Sequence, residues 1–201
     1  MAVELDHIFI RVTVGAPEAG RLADFGFIEG PPNRHPGQGT ACRRFFFRNA
    51  MLELLWVEDS AAAAGSLQLT ERRSPFGICV RPADEGHAVA PFATWEYRPA
   101  YLPAGHVIHM ASERALDEPL CFFLGFGRSP AMEQPVGFQN VTGVRIITPA
   151  PVRSDAMKAL VAEHVLTVES GPEHRLELTL EDARAGRSHD FRPELPLVFH
   201  W

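Results

Sequence analysis

Only three cysteines, Cys42, Cys79 and Cys121, occur in 201 residues. Their odd number and wide spacing match neither a disulfide framework nor a zinc-binding CxxC pair, so a reducing cytoplasm is the expected setting. The chain also lacks an excess of positive charge. Nineteen Lys and Arg stand against twenty-five Asp and Glu, a net −6, which leaves no basic footprint for nucleic acid or anionic lipid. It has no basic leader at Met1-Ala2-Val3-Glu4-Leu5-Asp6, and no apolar run near the ~20 residues of a spanning helix. No P-loop, dinucleotide glycine fingerprint or Ser/His/Asp order is present; Gly125-Phe126-Gly127 is followed by neither the required glycine nor a helix.

What is present is a globular composition, 46% apolar and 22% charged, and a length that suits one domain. Residues 5–14 (LDHIFIRVTV) read as a strand buried on both faces. Pro17 to Gly26 reads as a short helix with proline in its first turn and glycine just past its end. Phe27-Ile28 resumes extended structure, and residues 30–39, with three prolines and three glycines, read as a loop. Residues 40–48 and 51–57 read as a hairpin joined at Asn49-Ala50, where Asn49 can take a positive φ. The order is βαβββ over a first module, 1–59.

Residues 61–66 read as a small-residue joint. Strands at 75–81, 94–98, 106–110 and 120–126 then make a second module, 74–127. A third segment, 140–201, gives VTGVRIIT, a helix opened by Ser154 as N-cap, RLELTL and a last strand at 196–201. The expectation is a single α+β domain in which repeated βαβββ modules form one cupped mixed sheet, with the third segment supplying or completing a module.

Alternation places Leu5, His7, Phe9 and Arg11 on one face of the first strand, and Met51, Glu53, Leu55 and Val57 on one face of the fourth. A lone carboxylate in such an apolar strand needs compensation. Two readings stay open: His7 and Glu53 as donors to a divalent metal, or Glu53 paired with Arg11, Arg43 or Arg44 while His7 bonds a backbone carbonyl. An inward arginine among those three also suits a substrate carboxylate or enolate oxygen.

LDHIFIRV with His7, the helix end Phe25-Gly26-Phe27, the loop Arg34-His35-Pro36-Gly37-Gln38-Gly39-Thr40, and Asn49-Ala50-Met51-Leu52-Glu53-Leu54 together resemble the glyoxalase-like branch of the vicinal oxygen chelate superfamily. The resemblance is good over 1–57 and general over 75–201. It implies paired βαβββ modules around a divalent metal held by histidine or glutamine from first strands and glutamate from fourth strands, and it carries those roles onto His7 and Glu53 and no further; Glu53 is also the candidate catalytic residue. In complete members the second module contributes matching ligands. Here the corresponding places hold Phe76 or Gly77 and Gly125, or Gly143 in the third segment, none of which binds metal. A further donor is sought in His109 first, Glu96 second and His35 third, and Arg11, Arg43, Arg44 and His35 are the expected substrate contacts.

The function so implied is a metalloenzyme of isomerase, lyase or dioxygenase type, using zinc, nickel, manganese or iron on a small oxygenated metabolite through an enolate-like intermediate. The alternative is a metal-free small-molecule-binding or resistance protein of the same fold. The expected partner is a small molecule, with no nucleic acid and no membrane, and a homodimer is compatible with the sequence.

Overall fold

A computed structural model describes residues 3–66, 69–84, 89–127, 131–135, 138–181 and 186–201. Its first eight strands are β1 (Val3–Arg11), β2 (Asn33–His35), β3 (Thr40–Phe46), β4 (Met51–Val57), β5 (Phe76–Pro82), β6 (Thr94–Tyr97), β7 (Ile108–Ala111) and β8 (Leu120–Leu124). They form one mixed sheet in the order β2-β3-β4-β1-β5-β8-β7-β6, curled into a half-barrel. The order is palindromic: in each half the first strand lies at the centre with the fourth beside it. β1 and β4 are parallel, β5 and β8 are parallel, and β1 and β5 join the halves antiparallel with Ile8 opposite Ile78.

The helix α1 (Ala19–Phe25) ends where Gly26 adopts φ 114° and its N–H reaches back to the Leu22 and Ala23 carbonyls, a conformation open to glycine at no steric cost. Between β5 and β6 the described residues contain no helix. The segment expected as a joint instead forms α2 (Ser60–Ser66), with Asp59 accepting from the N–H groups of Ala61 and Ala62. The second strand is Asn33–His35, inside the expected loop, and not Phe27-Ile28; three residues leave too short a periodicity to read.

The eight-stranded sheet is the expected cupped mixed sheet, but the third segment builds a separate sheet and does not supply or complete a module of the first. Its strands are β9 (Val141–Thr148), β10 (Thr167–Ser170), β11 (Arg175–Leu180), β12 (Ser188–Asp190) and β13 (Leu197–His200), ordered β10-β9-β11-β13-β12. The short polar edge strands β10 and β12 carry no alternation that a sequence reading could detect. The helix α3 (Asp155–Ala162) starts as expected at Ser154, whose Oγ accepts from Met157 N–H at 3.2 Å. The buried Glu118 carboxylate, in the turn before β8, accepts in addition from the N–H groups of Arg153 and Ser154, which fixes α3 to the first sheet. Met157 Sδ lies 3.4 Å from Cys121 Sγ on β8.

Asn49 does not adopt a positive φ. Its side chain instead pairs with Val141, donating to the carbonyl at 2.7 Å and accepting from the N–H at 2.9 Å, so a residue chosen for a turn ties the two sheets together.

The eight-stranded sheet buries both faces. Ile8, Ile10, Leu52, Leu54, Phe76, Ile78, Val80 and Phe123 share one core with Leu22 of α1, Met157 and Leu160 of α3, and Ile146, Leu178 and Phe199 of the second sheet. Phe9, Leu55, Cys79, Met110, Leu120 and Phe122 form a second cluster on the concave face. Among the described residues no helix is long and apolar enough to cross a membrane.

Candidate functional site

The concave face encloses a cavity of about 270 Å³. In the first half β1 contributes His7 and Phe9, β4 contributes Met51, Glu53 and Leu55, and β2 with its turn contributes Asn33, His35 and Gln38. The second half contributes Ile108 and Met110 from β7, Leu120, Phe122 and Leu124 from β8, and Tyr101 and Leu102 from the β6–β7 connection. The carboxylates and imidazoles among the described lining residues all come from the first half, while the second half adds mainly apolar side chains and the Tyr101 ring.

The structure thus brings His7, Glu53 and His35 to one cavity. His109 is elsewhere. Its neighbours Ile108 and Met110 line the cavity, so alternation turns His109 to the opposite face, where its ring lies 5.9 Å from that of core Phe123. It is withdrawn as a donor. Glu96 is exposed and pairs with Arg98, which withdraws it too.

None of the three candidate arginines lines the cavity or pairs with Glu53. Arg11 donates to the carbonyls of Leu69 and, at 2.8 Å, Arg72. Arg43 is on the convex side, held by Glu29 at 2.7 Å and the Ala16 carbonyl at 3.0 Å. Arg44 shares Glu53's register position on the adjacent strand but donates to the Pro31 carbonyl and lies 5.0 Å over the Phe46 ring. Among the described residues no cationic side chain forms an ion pair with Glu53, whose neighbours include the buried Cys42 thiol.

One functional group that alternation conceals is Asp6. The pairing of β1 with β5 shifts register between Leu5 and His7, and such a bulge lets consecutive side chains reach one side. Asp6 Oδ1 accepts from His7 Nδ1–H at 2.6 Å, and Asp6 Oδ2 accepts from Arg81 at 2.8 Å. Arg81 also holds Glu4 at 2.8 Å and the Asn49 carbonyl at 3.1 Å. Burial by itself raises the Asp6 carboxyl, but the hydrogen bonds and charges of His7 and Arg81 outweigh it and hold the group at about 2. Burial by itself lowers the His7 imidazole, yet Cys79, Asp6 and Glu53 around it raise it well above its ordinary value.

His35 is the opposite case. Its Nε2 accepts from Asn33 Nδ2 at 3.1 Å and its Nδ1–H donates to Thr40 Oγ1 at 2.9 Å, an arrangement only the neutral ring can make, and burial lowers its pKa. Gln38 donates to the same Thr40 oxygen at 2.8 Å and accepts from the Tyr101 hydroxyl at 2.9 Å.

Residues 5–164 match the glyoxalase-like domain family. The chain belongs to that family. Within the vicinal oxygen chelate superfamily it sits in the glyoxalase-like branch. No curated protein matches it. Among solved structures, a hypothetical protein from Staphylococcus aureus is similar over 98% of this chain and 99% of its own, at 14% identity and a TM-score of 0.58, which shows the shared fold. Methylmalonyl-CoA epimerase from Streptomyces coelicolor, in complex with 2-nitronate-propionyl-CoA, is similar over 65% of this chain and 100% of its own, at 17% identity and a TM-score of 0.45.

Superfamily members often use divalent metals, so the donors of this glyoxalase-like domain need testing for fit. Gly77 holds the place of His7 in the second half. Glu53 lies opposite Phe9, two residues beyond His7; two residues beyond Gly77 is Cys79, which lies opposite Phe122. Phe122, and not Gly125, is therefore the counterpart of Glu53. Both vacated places are filled by rings: a Cβ on Gly77 would meet Phe9 Cε1 at 2.0 Å, and Phe122 packs edge-on against His7 at 5.3 Å between centroids. Gly143 lies on β9 in the other sheet.

Asp6, His7 and Cys79 do bring donor atoms within 4.8 Å of one another, the only such trio among the described residues. Asp6 is committed to His7 and Arg81, however, and burial pushes the Cys79 thiol up to about 11. A cation there would also face the Arg81 guanidinium. The donor set does not fit the superfamily's symmetric metal centre.

The ring contact gives a direct prediction. Gly77→Ala is expected to push Phe9 into the cavity and to cost about 1–3 kcal/mol through overpacking, read as a lower urea midpoint; an unchanged midpoint would show that Phe9 does not fill this space.

Proposed function

We propose that this glyoxalase-like domain binds a small molecule in the concave cavity and acts on it by acid–base chemistry at His7 and Glu53, without a resident divalent metal. The observation that carries this reading is the filling of the second half's ligand places by Phe9 and Phe122, beside a first half that keeps its histidine and glutamate. In this arrangement the Glu53 carboxylate takes a proton from the carbon next to a substrate carbonyl. The His7 ring, oriented by Asp6, donates a hydrogen bond to the oxygen on which charge develops. The Glu53 carboxylic acid then returns the proton, which makes the overall step an isomerisation or exchange.

A second reading has one observation in its favour. His35 faces the cavity with His7 and Glu53, so two histidines and one carboxylate could converge on a metal after His35 leaves Asn33 and Thr40. Elemental analysis of protein purified without chelator or metal-affinity tag separates the two. We expect no stoichiometric zinc, nickel, manganese or iron, even after incubation with each. One equivalent of metal retained by the wild type and lost in His35→Ala would establish the second reading instead.

A further inference from the structure

β2 and β6 are the two ends of the eight-stranded order, roughly 34 Å apart along the sheet at the usual strand spacing of about 4.8 Å. Side chains from the two ends nevertheless meet. Tyr101, in the connection that leaves β6, donates through its hydroxyl to Gln38 Oε1 at 2.9 Å, and its ring centre lies 5.0 Å from that of His35. His35 ends β2, and Gln38 lies in the turn from β2 to β3. The curl of the half-barrel brings the ends round, and residues 98–107 span the gap that is left on the concave side.

This segment is built of turns, not of sheet. Leu102 N–H donates to the Pro99 carbonyl at 3.2 Å and His106 N–H to the Pro103 carbonyl at 3.1 Å, which makes two successive turns, each headed by proline. Gly105 supplies at φ 88° the positive φ that the third residue of a type II turn requires. Both backbone bonds are internal to the segment. Ala100, Pro103, Ala104 and Gly105 face solvent, while Tyr101 and Leu102 line the cavity. Toward β7 the His106 ring packs edge-on against Phe126, another lining residue, at 4.4 Å between centroids.

The receiving side is fixed independently. Gln38 is buried; its Nε2 donates to Thr40 Oγ1 at 2.8 Å and its backbone N–H to the His35 carbonyl at 3.0 Å. Its amide oxygen therefore waits in place for the Tyr101 hydroxyl. One neutral hydrogen bond shifts an equilibrium by only roughly 2–12-fold, and segments held by so little open far more readily than paired core strands.

We propose, resting on the reading of the cavity as a ligand site, that residues 98–107 are a movable strap over it. The Tyr101–Gln38 hydrogen bond is the latch, and a ligand enters and leaves when that bond opens.

The test places a reporter thiol under the strap, Met110→Cys in the full chain, and follows its labelling by methyl methanethiosulfonate, a small neutral reagent, through peptide mass spectrometry. Adding Tyr101→Phe keeps the ring and deletes the latch hydroxyl, and labelling at position 110 should then rise roughly 2–12-fold. Native Cys121, buried in the core shared with α3, reports opening of the whole fold and should label no faster. If Met110→Cys does not fold, Met51→Cys carries the same reporter on β4. Labelling under the strap that ignores the Tyr101 hydroxyl overturns the latch, and an equal rise at Cys121 overturns it too, because the hydroxyl would then only hold the fold together. Acetophenone separates this from the reading beneath it. Saturable protection of the reporter thiol by acetophenone supports the cavity as a ligand site whatever the latch does, and no protection overturns that reading while a latch-dependent labelling rate still stands.

Discussion

Arg81→Met is expected to lower the melting temperature by roughly 6–20 °C. The Arg81 and Asp6 side chains are only 6% and 4% exposed, so removing the guanidinium strands a buried carboxylate, a change that costs about 3–5 kcal/mol, and for a domain of this length each kcal/mol corresponds to roughly 2–4 °C. The double variant Asp6→Asn with Arg81→Met should recover part of the loss, because the buried carboxylate is then no longer left without its guanidinium. The same network sets a pH window. Asp6 is depressed from 3.8 to about 2, so its contribution is fully present above the unfolded value and is lost as pH falls through about 2. His7 is raised above 6.5, so its contribution is fully present below 6.5 and is lost as pH rises through the higher folded value. Thermal melts across pH should show a plateau between these limits in the wild type and no acid limb of this origin in Asp6→Asn. A melting temperature within 2 °C of wild type for Arg81→Met would show that the ion pair does not hold the strands.

Glu53→Gln is expected to separate chemistry from stability. The carboxylate is buried and, among the described residues, has no ion-pair partner, so an isosteric neutral amide strands no arginine. Melting should shift far less than in Arg81→Met, because what is lost is the carboxylate's attraction for the nearby His7 ring and not a buried ion pair. Proton abstraction should suffer far more. Removing a general base typically costs about 10²–10⁴-fold, and the reading proposed for this cavity requires a loss of that size in the rate at which the protein exchanges the methyl protons of acetophenone for deuterium. A stability loss comparable with that of Arg81→Met would point to a hidden charge partner, and an unchanged exchange rate would remove Glu53 from the chemistry.

The first half of the site was legible because its strands obey simple alternation. His7 and Glu53 are the polar interruptions of two apolar strands, and nothing between Phe9 and Leu55 disturbs their phase. Asp6 was not legible, since a bulge breaks alternation and leaves no mark in the residue pattern. His109 was sought as a donor although its side chain lies on the other face, for a different reason. Both faces of the eight-stranded sheet are buried, one against the second sheet and α3 and the other around the cavity, so the hydrophobic pattern of HVIHM does not say which side is the cup. His35 stood out as a residue in a Pro- and Gly-rich loop, but its place depends on β2, three residues held by pairing with β3. The counterpart of Glu53 was set three residues too late because the register of β8 is fixed by β5, a partner some forty residues away.

The most direct measurement is deuterium exchange of acetophenone followed by proton NMR, with wild type and Glu53→Gln compared in the presence and absence of EDTA. The account predicts exchange by the wild type that EDTA leaves unchanged and that Glu53→Gln abolishes. Exchange that EDTA removes and that zinc, nickel, manganese or ferrous iron restores would contradict it.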